Sequence, residues 1–306
     1  MIKKIFKFFS YEHTNTPILL LRQTMYICPL FKAMSEQGEM TFIQHLEVLR
    51  YHLMRSAIAI VVLAILAFVN KGFLFDTVIF GPKQGDFLTF QFLCEFSNYL
   101  ATNLPALISD PDLLCIGQNF PKLQNIDMAG QFTSHIMVSM IAGLVVSFPY
   151  ILWELWRFIK PGLETSEANY AQGLVFWGSL LFSIGVLFGY YVISPLSVNF
   201  FFTYSISDQV ETLPTLSAYV STVTGVVLAA GLVFELPLIV YFLSKVGILS
   251  PDILRTYRKH FVVAALILSA IITPPDVFSQ ILVTIPLMLL YEISIVISGR
   301  VTRTKA

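Results

Sequence analysis

The sequence predicts an all-α polytopic membrane protein: six transmembrane helices, both termini on the cytoplasmic side, and the last two helices short. Three observations predict it. Of the 306 residues 56% are apolar and only 12% charged, against about 45–50% and about 25% in typical globular chains, so most of the chain has lipid as its solvent. Apolar runs of spanning length recur along it. The basic residues fall almost entirely on one side of those runs.

Residues 1–39 read as an N-terminal extension to a six-helix domain over 40–306. The extension is either a membrane-surface segment, with Lys3, Lys4 and Lys7 among Ile2, Ile5, Phe6, Phe8 and Phe9, or upstream sequence ahead of a true start at Met34 or Met40; the second reading is preferred. Arg22 interrupts its apolar stretch and no small-residue cleavage site follows, so no cleavable signal is evident. Next, Phe42, Leu46, Leu49 and Leu53 form an apolar stripe at helical spacing, and Thr41 with Gln44 fits a capping box. Gln44, Glu47, Arg50 and Tyr51 occupy the other face, as a helix at the cytoplasmic interface requires.

Four spans follow over 53–75, 132–152, 173–193 and 220–242. Two shorter runs, 261–272 and 281–297, read as a helical hairpin about Thr273-Pro274-Pro275-Asp276. The first of these rises only about 18 Å at about 1.5 Å per residue, so either the bilayer thins there or flanking residues snorkel. Of the 19 Lys and Arg, only Lys71, Lys83 and Lys122 lie in the loops opposite the termini, which places both termini in the cytoplasm.

Between the second and third spans, residues 153–163 mix aromatics and charge ahead of Pro161-Gly162 and read as an interfacial elbow, with Trp153 and Trp156 as aromatic-belt anchors. Glu164 and Glu167 stand where the third helix begins; composition does not choose between a partner for its dipole and a ligand site. Gly185 and Gly189 form a G-x-x-x-G step in the third span, a common feature of membrane helices.

Ionisable residues inside the spans are few: His135, Glu235 and Glu292. Glu235, flanked by Val233, Phe234, Leu236 and Pro237, is costly to expose to lipid and should face protein or a water-filled cavity, a functional candidate by default. Glu292, nearer the interface, reads as structural. Cys94 and Cys115 share the first outer loop; a structural disulfide is open to them, provided that their Cα atoms come within about 7 Å. The chain has no P-loop, no H-E-x-x-H metal site and no G-x-S-x-G elbow, so neither nucleotide hydrolysis, a metal nor a cofactor is expected.

Several stretches together resemble the TatC family. The most specific is the hairpin from Ile272 through Thr273-Pro274-Pro275-Asp276-Val277-Phe278-Ser279-Gln280, followed by Ile285-Pro286 and Tyr291-Glu292. Phe148-Pro149-Tyr150 through Trp156, Phe158, Pro161-Gly162-Leu163 and Glu167 looks like the family's first cytoplasmic loop. Phe234-Glu235-Leu236-Pro237 looks like its fourth-helix glutamate, and Leu249-Ser250-Pro251 with Leu254-Arg255 and Tyr257-Arg258 like its last cytoplasmic loop.

The resemblance covers roughly 41–299 and implies a receptor for twin-arginine signal peptides. It implies the core of a proton-motive-force-driven translocase for folded proteins in the bacterial inner membrane, working with TatA and TatB type single-span partners and with further copies of itself, and neither an enzyme nor a nucleic-acid binder. It implies signal-peptide contacts at Glu167, Phe158, Arg50 and Glu47, since a carboxylate binds guanidinium groups bidentately. Thr273 and Gln280 would mark the docking edge for single-span partners, beside a bilayer thinned by the short helices.

The sequence departs from the family's pattern in one place. Where the family usually reads His-Leu-x-Glu-Leu-Arg-x-Arg-Leu, this chain reads His45-Leu46-Glu47-Val48-Leu49-Arg50-Tyr51-His52-Leu53. The acid stands one place early, about 100° around a helix, and His52 replaces a second arginine. The first outer loop, 71–131, is long, although Pro82 fits a family position near its start. A competing class is a proton-coupled secondary transporter with Glu235 as coupling site; a third, a structural scaffold, would leave Glu167 and Arg50 replaceable.

Overall fold

The computed structural model describes residues 42–103, 115–117, 120–159, 171–207, 209–210, 212–273 and 276–305. Its secondary structure among those residues is helical, apart from one isolated parallel bridge between Gln124 and Thr215. The chain divides into two units, Met1–Arg50 and Tyr51–Ala306, and the packing below belongs to the second.

Helix α1 spans Phe42–Val69 without interruption. The sequence reading separated an interfacial helix from the first span, but no Gly or Pro falls between them, so nothing stops the backbone ladder. Thr41 of the capping box lies outside the described residues. The helix ends short of the expected Phe75, and a π-helical turn takes over at Phe73–Ile79. Carbonyls exposed there find donors elsewhere: Tyr190 donates to Val78 O at 2.8 Å and Tyr219 to Ile79 O at 2.6 Å. Helix α2, Leu88–Asn103, follows in the same loop.

Helix α3, Gly130–Ile159, meets α1 at a small-residue contact. A Cβ on Gly143 would stand 2.7 Å from Ala64 N and Ile60 O, so only glycine permits this approach. Lipid tails are as apolar as leucine, so close backbone packing of this kind does more for helix association than burial of apolar area.

The third span exceeds the expected 173–193. Helix α4, Ala171–Phe188, continues through a π-helical turn at Gly189–Ile193 into α5, Ser194–Thr203. Pro195 cannot donate to the ladder, and the wider turn absorbs the lost bond while Ser194 donates its hydroxyl to Gly189 O at 2.8 Å. The G-x-x-x-G step lies against the fourth span, where a Cβ on Gly185 would meet Phe234 Cβ at 2.7 Å and one on Gly189 would meet Ala230 Cβ at 2.9 Å.

The fourth span is broken into α6, Leu216–Val233, and α7, Leu236–Val246. Glu235 sits at the break because Pro237 has no N–H for the carbonyl four residues earlier. Gly247, at φ 87°, closes α7 in the left-handed region that favours glycine. A short helix α8, Pro251–Thr256, leads into α9, Arg258–Ile272, and then α10, Val277–Lys305.

Among the described residues, five helical segments are long and apolar enough to cross a membrane: Leu46–Val69, Gly130–Ile159, Gly173–Thr203, Leu216–Val246 and Ser279–Arg303. The fifth expected span, α9, has 15 residues and rises about 22 Å, short of a hydrocarbon core of about 30 Å, whereas the sixth, also expected to be short, is the 29-residue α10, since no Pro stops it after Ile297. It pairs with α10 through polar contacts, Ser269 Oγ to Thr284 Oγ1 at 3.0 Å among them. Two apolar cores lie around α6: Tyr219, Val220 and Val223 pack on Leu74, Ile79, Val138 and Val198, while Val226 and Ala230 pack on Ile193, Ala265, Val283 and Leu287.

Candidate functional site

Tyr150, Glu154 and Arg157 share one face of α3 at helical spacings of four and three residues. Glu154 is 1% exposed. Its Oε2 lies 2.5 Å from Nδ1 of His52 on α1, and its Oε1 accepts from the Tyr150 hydroxyl at 2.9 Å. The Arg157 guanidinium stands 3.7 Å from Oε1. A carboxylate can only accept, so Nδ1 of His52 carries the hydrogen. Two hydrogen bonds and a nearby cation compensate this acid for its burial, and they tie α1 to α3.

One turn beyond Glu154, the ring of Phe158 meets the His52 ring edge-on, with centroids 6.2 Å apart. The cluster thereby supports a residue expected to contact signal peptides. Beside it, a groove of about 420 Å³ runs between α1 and α3, with Arg55 and Tyr150 at its polar positions and Ile58, Val62 and Val146 along its wall.

Of the stretch 153–163 read as an interfacial elbow, α3 takes up residues as far as Ile159, and Pro161-Gly162, the expected break, lies outside the described residues. Trp153 is exposed and receives the Arg157 guanidinium on its face at 4.9 Å, as a belt residue can. Trp156 is not a belt anchor: it is buried against Phe242, 5.5 Å between centroids. Sequence reasoning missed Glu154 as well. Its signal was the Tyr150, Glu154, Arg157 spacing, which puts donors and acid on one helical face.

The remaining candidates are dispersed. Glu47 and Arg50 are exposed on α1 in the N-terminal unit, and Glu167 lies outside the described residues. Glu235 is 6% exposed, and neither of its carboxylate oxygens has a hydrogen-bond partner among the described residues. It faces Gly178 on α4, where a Cβ would come within 3.4 Å of Oε2. Thr273 is buried and donates to Ser269 O at 2.8 Å, while Gln280 donates its amide to Leu266 O at 3.1 Å, so both hold the α9–α10 hairpin. Glu292 forms a two-pronged pair with Arg258, at 2.7 and 2.8 Å. His135 stacks on Phe68 at 3.8 Å and donates to its carbonyl at 3.1 Å. Cys94 and Cys115 are joined in a disulfide, their Cα atoms 4.3 Å apart.

The family model for the Sec-independent protein translocase protein TatC matches residues 44–286. A Sec-independent protein translocase protein TatC from Blattabacterium sp. subsp. Periplaneta americana is 37% identical over 271 residues, 89% of this chain and 99% of the relative. The protein of the same name from Aquifex aeolicus is 36% identical over 211 residues, 68% of this chain and 85% of the relative. The crystal structure of the twin-arginine translocase receptor TatC in DDM superposes with a TM-score of 0.61 at 30% identity, covering 83% of this chain and 99% of that one. These relatives are named as protein translocase components, not as solute carriers, which removes the support for Glu235 as the coupling site of a proton-coupled transporter. With the family model matched over residues 44–286 and a relative of that name matched over 99% of its length, the chain belongs to the TatC family of Sec-independent protein translocase proteins.

Proposed function

We propose that this chain is the twin-arginine signal-peptide receptor and core subunit of a translocase that exports folded proteins across the bacterial inner membrane. The observation that carries the reading is the match over 89% of this chain and 99% of a named translocase protein, together with a fold shared with a twin-arginine translocase receptor. Both termini lie in the cytoplasm, as the basic residues direct. The signal's two arginines are taken by Glu167, with Phe158, Arg50 and Glu47 completing the site. The proton-motive force drives transport, TatA and TatB type single-span proteins dock near Thr273 and Gln280, and several copies assemble in one complex. The protein acts by binding and assembly and carries out no covalent chemistry.

What supports a recognition site at this end of α3 is the Glu154 cluster, which holds α1 and Phe158 rigidly just before residues 160–170. A recognition surface needs such support from packed neighbours. Photo-crosslinking of a twin-arginine signal peptide to the chain in membranes, with its partner proteins present, tests the reading. Crosslinks to the parent that vanish with Glu167→Ala and with a Lys-Lys signal are expected. No crosslink to the parent would overturn the receptor reading. Loss with Lys-Lys alone would keep the receptor and move the recognising acid away from Glu167.

A further inference from the structure

Helix α2, in the loop between the first two spans, has an apolar face left exposed among the described residues. Leu88, Phe92, Phe96 and Tyr99 are exposed, Phe92 and Tyr99 at 64% each. At about 100° per residue these four fall within an arc of about 80°. Phe90 and Ser97, the buried residues of the helix, lie on the far side. Gln91, Glu95, Asn98 and Thr102 form a polar band along one edge, and Glu95 is the helix's one charged residue. An apolar stripe with aromatics and a polar flank is the pattern of a helix lying in a membrane interface.

The position of α2 relative to the spans selects lipid as the occupant. Its start is fastened to the third span: the Thr89 hydroxyl donates to the Tyr191 carbonyl, and the Phe87 ring stacks on Tyr191 with centroids 5.5 Å apart. Tyr191 belongs to the apolar segment Gly173–Thr203 and lies well inside its end. Leu180, Ile184, Leu187 and Tyr191 are all exposed at helical spacing, so they form the lipid-facing stripe of that span. Tyr191 closes that stripe and is the residue that Phe87 and Thr89 hold, so the first turn of α2 adjoins the lipid-facing side of the span. The other side of α2 is fixed by the Cys94–Cys115 disulfide and by Phe90, against which a Cβ on Gly117 would come within 2.6 Å.

We propose that α2 is a membrane-interface element: its Leu88, Phe92, Phe96, Tyr99 face sits at the headgroup and acyl boundary of the leaflet next to the third span's end, and Gln91, Glu95, Asn98 and Thr102 face water. Tyr99 and the two phenylalanines act as the aromatic residues that favour that depth. The first loop is therefore bound to the bilayer as well as to the helices.

Spin labels placed through Phe92→Cys, Phe96→Cys and Tyr99→Cys, with Gln91→Cys and Asn98→Cys as the polar-edge set, test this in the full chain carrying Cys28→Ser. The protein is reconstituted in phosphatidylcholine and phosphatidylglycerol vesicles, and power-saturation resonance compares collision with oxygen and with a water-soluble nickel chelate. Oxygen accessibility exceeding nickel accessibility at Phe92, Phe96 and Tyr99, with the reverse at Gln91 and Asn98, is expected. Nickel accessibility dominating at all five positions would overturn the proposal, because the face would then lie in water. Low accessibility to both agents at the first three positions would also overturn it, because a second copy or another protein would then cover the face.

Discussion

Glu154 and Glu235 are both buried acids on membrane-spanning helices, 1% and 6% exposed, yet their surroundings are opposite. Glu154 has His52, Tyr150 and Arg157 around it. Glu235 has Gly178, Leu152 and Leu238 as neighbours and no hydrogen bond among the described residues. The first joins two helices through its partners. The second is a buried polar group whose acceptors stand open to a donor beyond the described residues. Burial alone therefore does not distinguish a structural acid from one free for recognition; the count of its partners does.

Mutations can break this comparison, and Glu154→Ala should have the largest effect. It leaves His52 and Tyr150 without their acceptor and should cost about 3–5 kcal/mol, the range for breaking one side of a buried pair. Thermal unfolding in detergent measures it, and a loss below about 1 kcal/mol would mean that α1 does not depend on the acid. A double-mutant cycle of Glu154→Gln with His52→Ala should next give a coupling of about 1.5–3 kcal/mol, as for hydrogen bonds to charged groups. Additive effects would remove the link to His52.

Tyr150→Phe deletes one hydroxyl at an exposed position and should cost less than either in the same assay. Glu235→Gln should be the smallest, within about 0.5 kcal/mol, since an amide of the same shape replaces an acid that has no hydrogen-bond or charge partner among the described residues. A loss of several kcal/mol from Glu235→Gln would show that Glu235 has a partner that depends on its carboxylate, and the contrast with Glu154 would collapse.

The sequence made a span legible where a long apolar run decides the matter by itself, as at 132–152, which lies inside Gly130–Ile159. It was read less well wherever two local signals compete. Pro195 looks like the end of a helix, but a π-helical turn takes up its missing donor and the span goes on. Pro237 lies in a continuous apolar run, yet it divides the fourth span at Glu235. Glu154 and Trp156 were placed at the interface because charge and aromatics together usually mean water nearby. Their burial depends on His52 and Phe242, which are 102 and 86 residues away and leave no trace in local composition. The position of the hairpin was legible because Thr273 and Ser279 stand in a distinctive local run, whereas their burial and the full length of α10 were not.

The bond from Tyr219 to Ile79 reaches across 140 residues and carries a consequence for how the protein is made. Chains emerge from the ribosome N-terminus first, so the turn at Phe73–Ile79 is synthesised, and its two flanking spans are complete, well before Tyr219 exists. Leu74 and Ile79, which end in the core with Val220 and Val223, are left until then without their covering helix. Assembly of this core is timed by the fourth span's arrival, and a nascent chain stopped short of Tyr219 holds an unfinished loop that quality-control proteases can recognise.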